Sequence, residues 1–291
     1  MSGVTQLLQF LLSGVTVGSI YALIAVGFTI IYNCTQVVNF AQGEFVMLGA
    51  MAAAALVSVG VPLWAACAIA VGTASAVGLL ISASLIRPLK SGSTVTLVII
   101  TVGASILLRG GAALLWGKDA RPVPPFSGGE GLRIAGASLP VQSLWVFAAT
   151  ACLVSLLWLF YRYSMLGRAM RACASCKPGA RIVGVNPSRM TLLAFTMGAA
   201  IGGVAGVVMS PITFAQHDMG TMLGLKGFCA AVLGGMGSFG GCVVAGLCLG
   251  VLEAMGAGLV SSAYKDAIAF VILLSMLLAR PQGVLRGRVG D

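Results

Sequence analysis

Residues 162–190 read RYSMLGRAMRACASCKPGARIVGVNPSRM. The stretch holds Arg162, Arg168, Arg171, Lys177, Arg181 and Arg189, and no Asp or Glu. Long apolar runs flank it on both sides. Charged side chains at membrane depth are costly, so such a segment must lie outside the lipid. Cytoplasmic loops carry the Lys/Arg excess, which assigns this loop, about 162–189, to the cytoplasmic side. A long structured loop late in an otherwise oily chain is a handle that a soluble partner can grip.

The composition around it fits a membrane body. Of 291 residues, 59% are hydrophobic and 8% charged, against about 25% charged in a soluble domain. Mean hydropathy is +1.04. Apolar stretches of roughly 20 residues recur, each enough to cross about 30 Å of hydrocarbon. The predicted class is an all-α, polytopic integral membrane protein, a single transmembrane domain over 1–291. The 40 glycines suit helices that pack closely, as in GAAIGGVAG (198–206) and GGCVVAGLCLG (240–250). The net charge of +10 does not argue for nucleic acid. The basic residues are concentrated in short loops, with no basic–aromatic interleaving.

No Lys or Arg precedes Arg87. The first apolar run therefore lacks the positive n-region of a secretory signal, and is expected to be a retained span that starts outside. Among eight cysteines, Cys34, Cys67, Cys152, Cys229, Cys242 and Cys248 lie in or beside apolar runs, where Cys acts as a small hydrophobe. Cys173 and Cys176 form the one C-x-x-C. A zinc site would want a second pair or histidines, and the one histidine, His217, is expected across the membrane. Structural filler is the preferred reading, and no metal is expected.

Apolar runs predict spans over 7–31, 45–59, 62–86, 94–116, 141–161 and 190–209. A short, glycine-laden run over 223–237 reads as broken or re-entrant. A last region divides into 239–260 and 267–278. Residues 117–139 form the longest external loop, and 211–223 are expected outside as well. Arg87, Lys90 and the basic tail 279–291 mark the inside. An outside start and an inside end require an odd number of crossings, seven or nine.

Polar residues interrupt this pattern at YNCTQVVNFAQGE (32–44). Irregular backbone at membrane depth is tolerated where it is buried in protein or lines a cavity, and broken helices in transporters direct their ends at substrate. Asn39, Gln42 and Glu44 are therefore candidates for a translocation path. Equally open is a polar turn with Glu44 in a first helical turn, where the helix dipole favours it. Glu253, deep in 239–260, either meets a polar partner or faces the path. Arg109 is expected to snorkel to the outer interface, and Lys265 with Asp266 reads as an interface pair. A faint repeat relates Phe40-Ala41-Gln42 to Phe214-Ala215-Gln216, each followed by acidic and Met-Leu-Gly residues.

Three stretches carry a resemblance. GSIYALIAVGFTIIY (18–32) with VNFAQGEFVMLGA (38–50) resembles the N-terminal signature of permease subunits of branched-chain amino-acid ABC transporters, LivH-type. GRAMRACASCKPGARIVGVNPSRM (167–190) resembles that family's loop that docks on the ATPase. FCAAVLGGMGSFGG (228–241), GLCLGVLEA (246–254) and YKDAIAF (264–270) complete a match that is nearly end to end. The resemblance implies an all-helical permease of about eight spans in the bacterial inner membrane. It implies a second homologous permease, two cytoplasmic ATPase subunits and a periplasmic solute-binding protein as partners. ATPase coupling would then fall on Gly167, Arg168, Arg171, Ser175, Cys176, Arg181 and Gly184. In one departure, Ser175 and Cys176 stand where the family commonly has an acidic pair, which implies either a co-adapted ATPase or a coupling that rests on the flanking Arg171, Arg181 and Gly184.

The chain has no GxxxxGK[ST] loop to cradle nucleotide phosphates, so ATP and Mg are expected on partner chains and no cofactor on this one. One histidine and scattered carboxylates give no acid–base constellation for an enzyme. Related permeases for urea or short amides are the alternative. A stand-alone carrier or channel is the alternative of another class, and would have to use Glu44 and Glu253 as its deep carboxylates.

Overall fold

The computed structural model describes residues 3–86, 88, 94–129, 131–134, 136–259, 261 and 265–279. Among them are eleven α-helices and a two-stranded hairpin. Arg87, Lys90 and residues 280–291, expected to mark the inside, lie outside the described residues.

The bundle is built around α1 (Gly3–Thr35). Every residue from Gly18 to Ile31 is buried, as expected of a helix that is apolar all round. It packs antiparallel to α10 (Phe239–Leu259). The contact is glycine on glycine, with Gly14 and Gly18 facing Gly250 and Gly246. A Cβ on Gly18 would lie 2.9 Å from the Gly246 carbonyl oxygen. Small residues four apart on both helices let the backbones touch.

The second buried helix is α8 (Pro187–Thr213), opened by Asn186, whose side chain accepts from the Ser188 and Arg189 amides. Alongside it runs α2 (Gln42–Ser58), with Gly49 against Gly203 and Gly206 against Val46. α3 (Leu63–Ile81) widens into a π-helical turn over Ser82–Ile86 and covers α8 from the other side. α4 (Thr94–Trp116) and α5 (Val141–Tyr163) are peripheral. Only 17% of the apolar window of α4 is buried, against 89% for α1, so most of α4 presents apolar side chains outward.

Among the described residues, six helices are long and apolar enough to cross a membrane: α1, α3 with its π turn, α4, α5, α8 and α10. α2 and α9 (Met219–Gly234) are shorter and interior. The protein is thus an all-α, multi-pass membrane protein. At one end, Gln9 of α1 exchanges two hydrogen bonds with Ser138 of a hairpin formed by β1 (Leu132–Ile134) and β2 (Ala137–Leu139). At the other end lies the basic loop. Among the described residues, α1, α2, α3, α4, α5, α8, α9 and α10 lie between the hairpin end and the basic end. α11 (Lys265–Ala279) starts beside the middle of α9 and α10.

Two boundaries differ from the sequence expectation. Pro211 suggests that the sixth span ends near Met209, yet α8 continues through Thr213. Proline has no amide to offer the Val207 carbonyl, and the Ser210 hydroxyl fills the gap at 2.9 Å. α9 then begins at Met219, inside the stretch 211–223 expected as loop. The 117–139 segment is also more ordered than a bare loop. Arg121 and Ala215 exchange two backbone hydrogen bonds, and Phe126 packs with Trp64 and Trp145.

Candidate functional site

α1 and α8 end alike. Each stops at a residue with a left-handed φ, Gln36 at 61° and Phe214 at 60°. A few non-helical residues follow each, and then a short buried helix, α2 or α9. The two units run in opposite senses, so the faint repeat in sequence has a structural counterpart of the kind found in transporters. The first turns of α2 and α9 meet. A Cβ on Gly224 would lie 3.0 Å from Gly43 Cα, and one on Gly43 would strike the Gly220 carbonyl.

The polar residues of the break are buried there. Asn39 caps the turn, its Oδ1 accepting from the Ala41 amide at 3.1 Å, while its Nδ2 has no partner. Gln42 Nε2 donates to the Gly198 carbonyl at 2.9 Å. Glu44, 1% exposed, lies in the first turn of α2, and its Oε1 accepts from Ser105 at 2.9 Å and from Thr221 at 3.4 Å. Its Oε2 has no partner. Arg109 does not snorkel outward but donates to the Thr221 hydroxyl at 2.6 Å. Ser105 and Thr221 were not singled out from sequence.

Three cavities follow one another along this break. The first, ≈ 990 Å³ at the basic end, is bounded by Thr35–Val37, by Thr94 and Leu97, and by Lys177 and Arg181. The second, ≈ 10 Å³, is a constriction between Asn39, Thr101 and Phe195. The third, ≈ 250 Å³, contains Glu44, Ser105, Arg109 and Thr221. α4 contributes to all three through Thr94, Leu97, Thr101, Ser105 and Arg109. These are spaced three or four residues apart and so share one face of the helix. Four of the five, Thr94, Thr101, Ser105 and Arg109, are polar in an otherwise apolar helix, and that is the signal by which sequence reading could have found the site.

Glu253 is elsewhere. Its Oε1 pairs with Lys226 at 2.8 Å and its Oε2 accepts from Tyr21 at 2.9 Å. Lys226 also reaches Asp266 at 2.6 Å, and Lys265 lies 3.5 Å from Glu253. The structure thus places Glu253 in a charge network joining α1, α9, α10 and α11, away from the Asn39–Glu44 cavities. Lys265 and Asp266, read from sequence as an interface pair, start α11 and both reach into that network. Lys226, lost in a weak apolar run, went unnoticed in the sequence.

The basic loop folds into α6 (Met165–Ser175) and α7 (Lys177–Ile182). Ser164 caps α6 by accepting from the Leu166 amide at 3.2 Å. One face of α6 is buried. Gly167 rests on α5, where a Cβ would lie 2.8 Å from Tyr161 Cα, and Tyr161 meets Met170 Sδ at 3.8 Å. Arg168, Ser175, Cys176, Arg181 and Gly184 are exposed and Arg171 half-buried. Gly184 ends α7 with φ +84°. The C-x-x-C is divided. Cys176 is exposed and its sulfur accepts from the Gly179 amide at 3.4 Å, whereas Cys173 is buried. Burial pushes the Cys173 thiol up, with Lys177 opposing. Beside Arg181, Ile182 and Val183 are 86% and 74% exposed, an apolar tip that sequence analysis passed over.

At its first residue α7 is joined to α1: Lys177 Nζ donates to the Thr35 carbonyl at 2.9 Å.

Comparison with known proteins agrees with this arrangement. The chain is 36% identical to the high-affinity branched-chain amino acid transport system permease protein LivH of Salmonella typhimurium, over 96% of this chain and 95% of that one. It is 36% identical to BraD of Pseudomonas aeruginosa, a permease protein of the same description, over 98% and 97%. Among solved structures, a metal-chelate type ABC transporter in an inward-facing conformation shares the fold, with TM-score 0.50, 17% identity, and 92% and 82% of the two chains covered. The family described as branched-chain amino acid transport system, permease component, matches residues 10–277. The chain belongs to that family of membrane permeases.

Proposed function

We propose that this chain is the permease subunit of an ATP-driven importer that carries branched-chain amino acids across a bacterial inner membrane. The reading rests above all on its full-length similarity to LivH and BraD permeases. The line of cavities beside the 36–44 break supplies a route of the right scale. The exposed face of α6 and α7 supplies a place for a cytoplasmic ATPase. Arg181 stands beside the exposed apolar tip Ile182–Val183, and an apolar centre with arginine at its side is a composition that protein interfaces favour.

In this scheme ATP and Mg bind two ATPase subunits, a periplasmic binding protein delivers the amino acid, and a second homologous permease completes the membrane unit. Gly167 lets α6 lie tight on α5. Arg168, Arg171, Ser175, Cys176, Arg181 and Gly184 are presented to the ATPase. Nucleotide-driven closure then shifts a two-state bundle between openings to either side.

The test is reconstitution. Proteoliposomes containing the four membrane-associated subunits, ATP and the binding protein should accumulate leucine, and Arg181→Glu should lower uptake while basal ATPase activity persists. Leucine accumulation by this chain alone, driven by an ion gradient, would overturn the reading in favour of a stand-alone carrier.

A further inference from the structure

The ≈ 250 Å³ chamber holds two opposite charges that do not pair. Glu44 and Arg109 both line it, yet they do not form a direct ion pair. Thr221 stands between them, accepting from Arg109 at 2.6 Å and donating to Glu44 at 3.4 Å. Both hydroxyls near Glu44 address Oε1, and Oε2 is left without a donor although Glu44 is 1% exposed. A buried carboxylate oxygen without a partner carries a desolvation cost that folding alone does not justify. Gly220 keeps room beside it, since a Cβ there would lie 2.7 Å from Oε2. Arg109, with five donors, spends one on Thr221.

The rest of the chamber is apolar. Phe228 stacks near Phe40 and Phe28, with ring centroids 6.0 and 5.9 Å apart. A ligand suited to this space carries a cationic donor for Glu44, an anionic acceptor for Arg109 and an apolar body for the rings. An uncharged solute would leave both charges unanswered. We infer that the Glu44–Arg109 chamber is a binding site inside the permease for a zwitterionic α-amino acid with an apolar side chain. Glu44 Oε2 takes the ammonium, Arg109 takes the carboxylate, and Phe40 and Phe228 take the side chain. The inference rests on the amino-acid importer reading and adds a selectivity site within the membrane subunit.

The constriction at Asn39, Thr101 and Phe195 closes the chamber toward the basic end. Val102 lines the chamber and is 39% exposed, and so offers a reporter. The assembled transporter carrying Val102→Cys, or Ile106→Cys if the first does not carry leucine, is alkylated in proteoliposomes, with the parent cysteines as background. Leucine is compared with isocaproate, which lacks the ammonium, and isoamylamine, which lacks the carboxylate. A charged hydrogen bond is worth about tenfold in affinity, so leucine should protect at about a tenth of the concentration of either analogue. Glu44→Gln should abolish the preference over isocaproate, and Arg109→Gln the preference over isoamylamine. A purely structural role for Glu44 would not move these ratios.

Equal protection by all three compounds, or a leucine-to-isocaproate ratio untouched by Glu44→Gln, overturns the site. Leucine uptake by the same vesicles separates the two claims. Uptake without protection sinks the chamber alone, whereas absence of uptake in the unmutated transporter sinks the importer reading itself.

Discussion

Lys226 of α9 and Glu253 of α10 form an ion pair at 2.8 Å, their side chains 6% and 1% exposed. Tyr21 of α1 completes the carboxylate's shell, and Asp266 of α11 shares the ammonium. Four helices meet on four charges that sum to zero. Removing Glu253 leaves the buried Lys226 ammonium with Asp266 alone, a carboxylate half in solvent. Glu253→Ala should cost about 3–5 kcal/mol of stability. Replacing both charges, as Lys226→Met with Glu253→Gln, should recover most of that loss, since Gln still accepts from Tyr21. Denaturation of the purified protein in detergent, parent against single and double variants, measures both. A double variant as unstable as the single one would refute the pairing argument.

Helix contacts through glycine give a second, sharper contrast. A Cβ on Gly206 would run into the Val46 carbonyl, while one on Gly103 meets nothing within 4 Å. Gly206→Ala should destabilise by about 1–3 kcal/mol, because the neighbour is backbone and cannot rotate aside. Gly103→Ala should be neutral or stabilising by up to about 1 kcal/mol, through the lost flexibility of the unfolded chain. Thermal midpoints of the two variants should move in opposite directions or differ clearly.

The Ser210–Val207 hydrogen bond has a testable cause. If the hydroxyl serves the carbonyl that Pro211 leaves unpaired, Ser210→Ala should cost about 1 kcal/mol. In a Pro211→Ala background the restored amide makes the hydroxyl redundant, and the same change should cost close to nothing. The cycle of four proteins isolates the coupling. An equal cost in both backgrounds would mean that Ser210 acts otherwise.

Cys173 and Cys176 should react differently. Cys176 is exposed and should be alkylated readily near neutral pH. Cys173 is 2% exposed, and burial holds its thiol above the ordinary range, so its thiolate, the reactive form, appears only at higher pH. The linkage has a definite sign. A raised thiol pKa favours the folded state below the ordinary thiol range, and that contribution is lost as pH rises through the folded value. Mass spectrometry after timed labelling from neutral to alkaline pH should find Cys176 modified first, and the packing of α6 should loosen at the alkaline end.

Much of this architecture was legible in the chain. Hydropathy located all six long spans, because lipid leaves few alternatives to a helix of about 20 apolar residues. The polar residues marked a break over 32–44, which the structure narrows to 36–41, because α1 continues through Thr35 and α2 already starts at Gln42. The basic loop gave α6 and α7, although not the apolar tip at Ile182 and Val183, which two residues of ordinary hydrophobicity cannot announce.

What escaped was pairwise. Pro211 reads as a helix end unless the preceding serine is seen to serve Val207. Lys226 reads as a blemish in a weak span until Glu253 is placed against it. Arg109 reads as an interface anchor until Thr221 arrives from a segment 112 residues away. In each case the deciding partner lies on another turn or another helix, and local pattern carries no record of it.

The bond from Lys177 to Thr35 has a mechanical meaning. It fastens the first residue of α7 to the last residue of α1, one step before Gln36 turns left-handed and the chain leaves the helix. A tug on α7 therefore need not bend a 33-residue rod. It arrives by a tether one side chain long at the helix end itself, a few residues before Asn39 of the constriction.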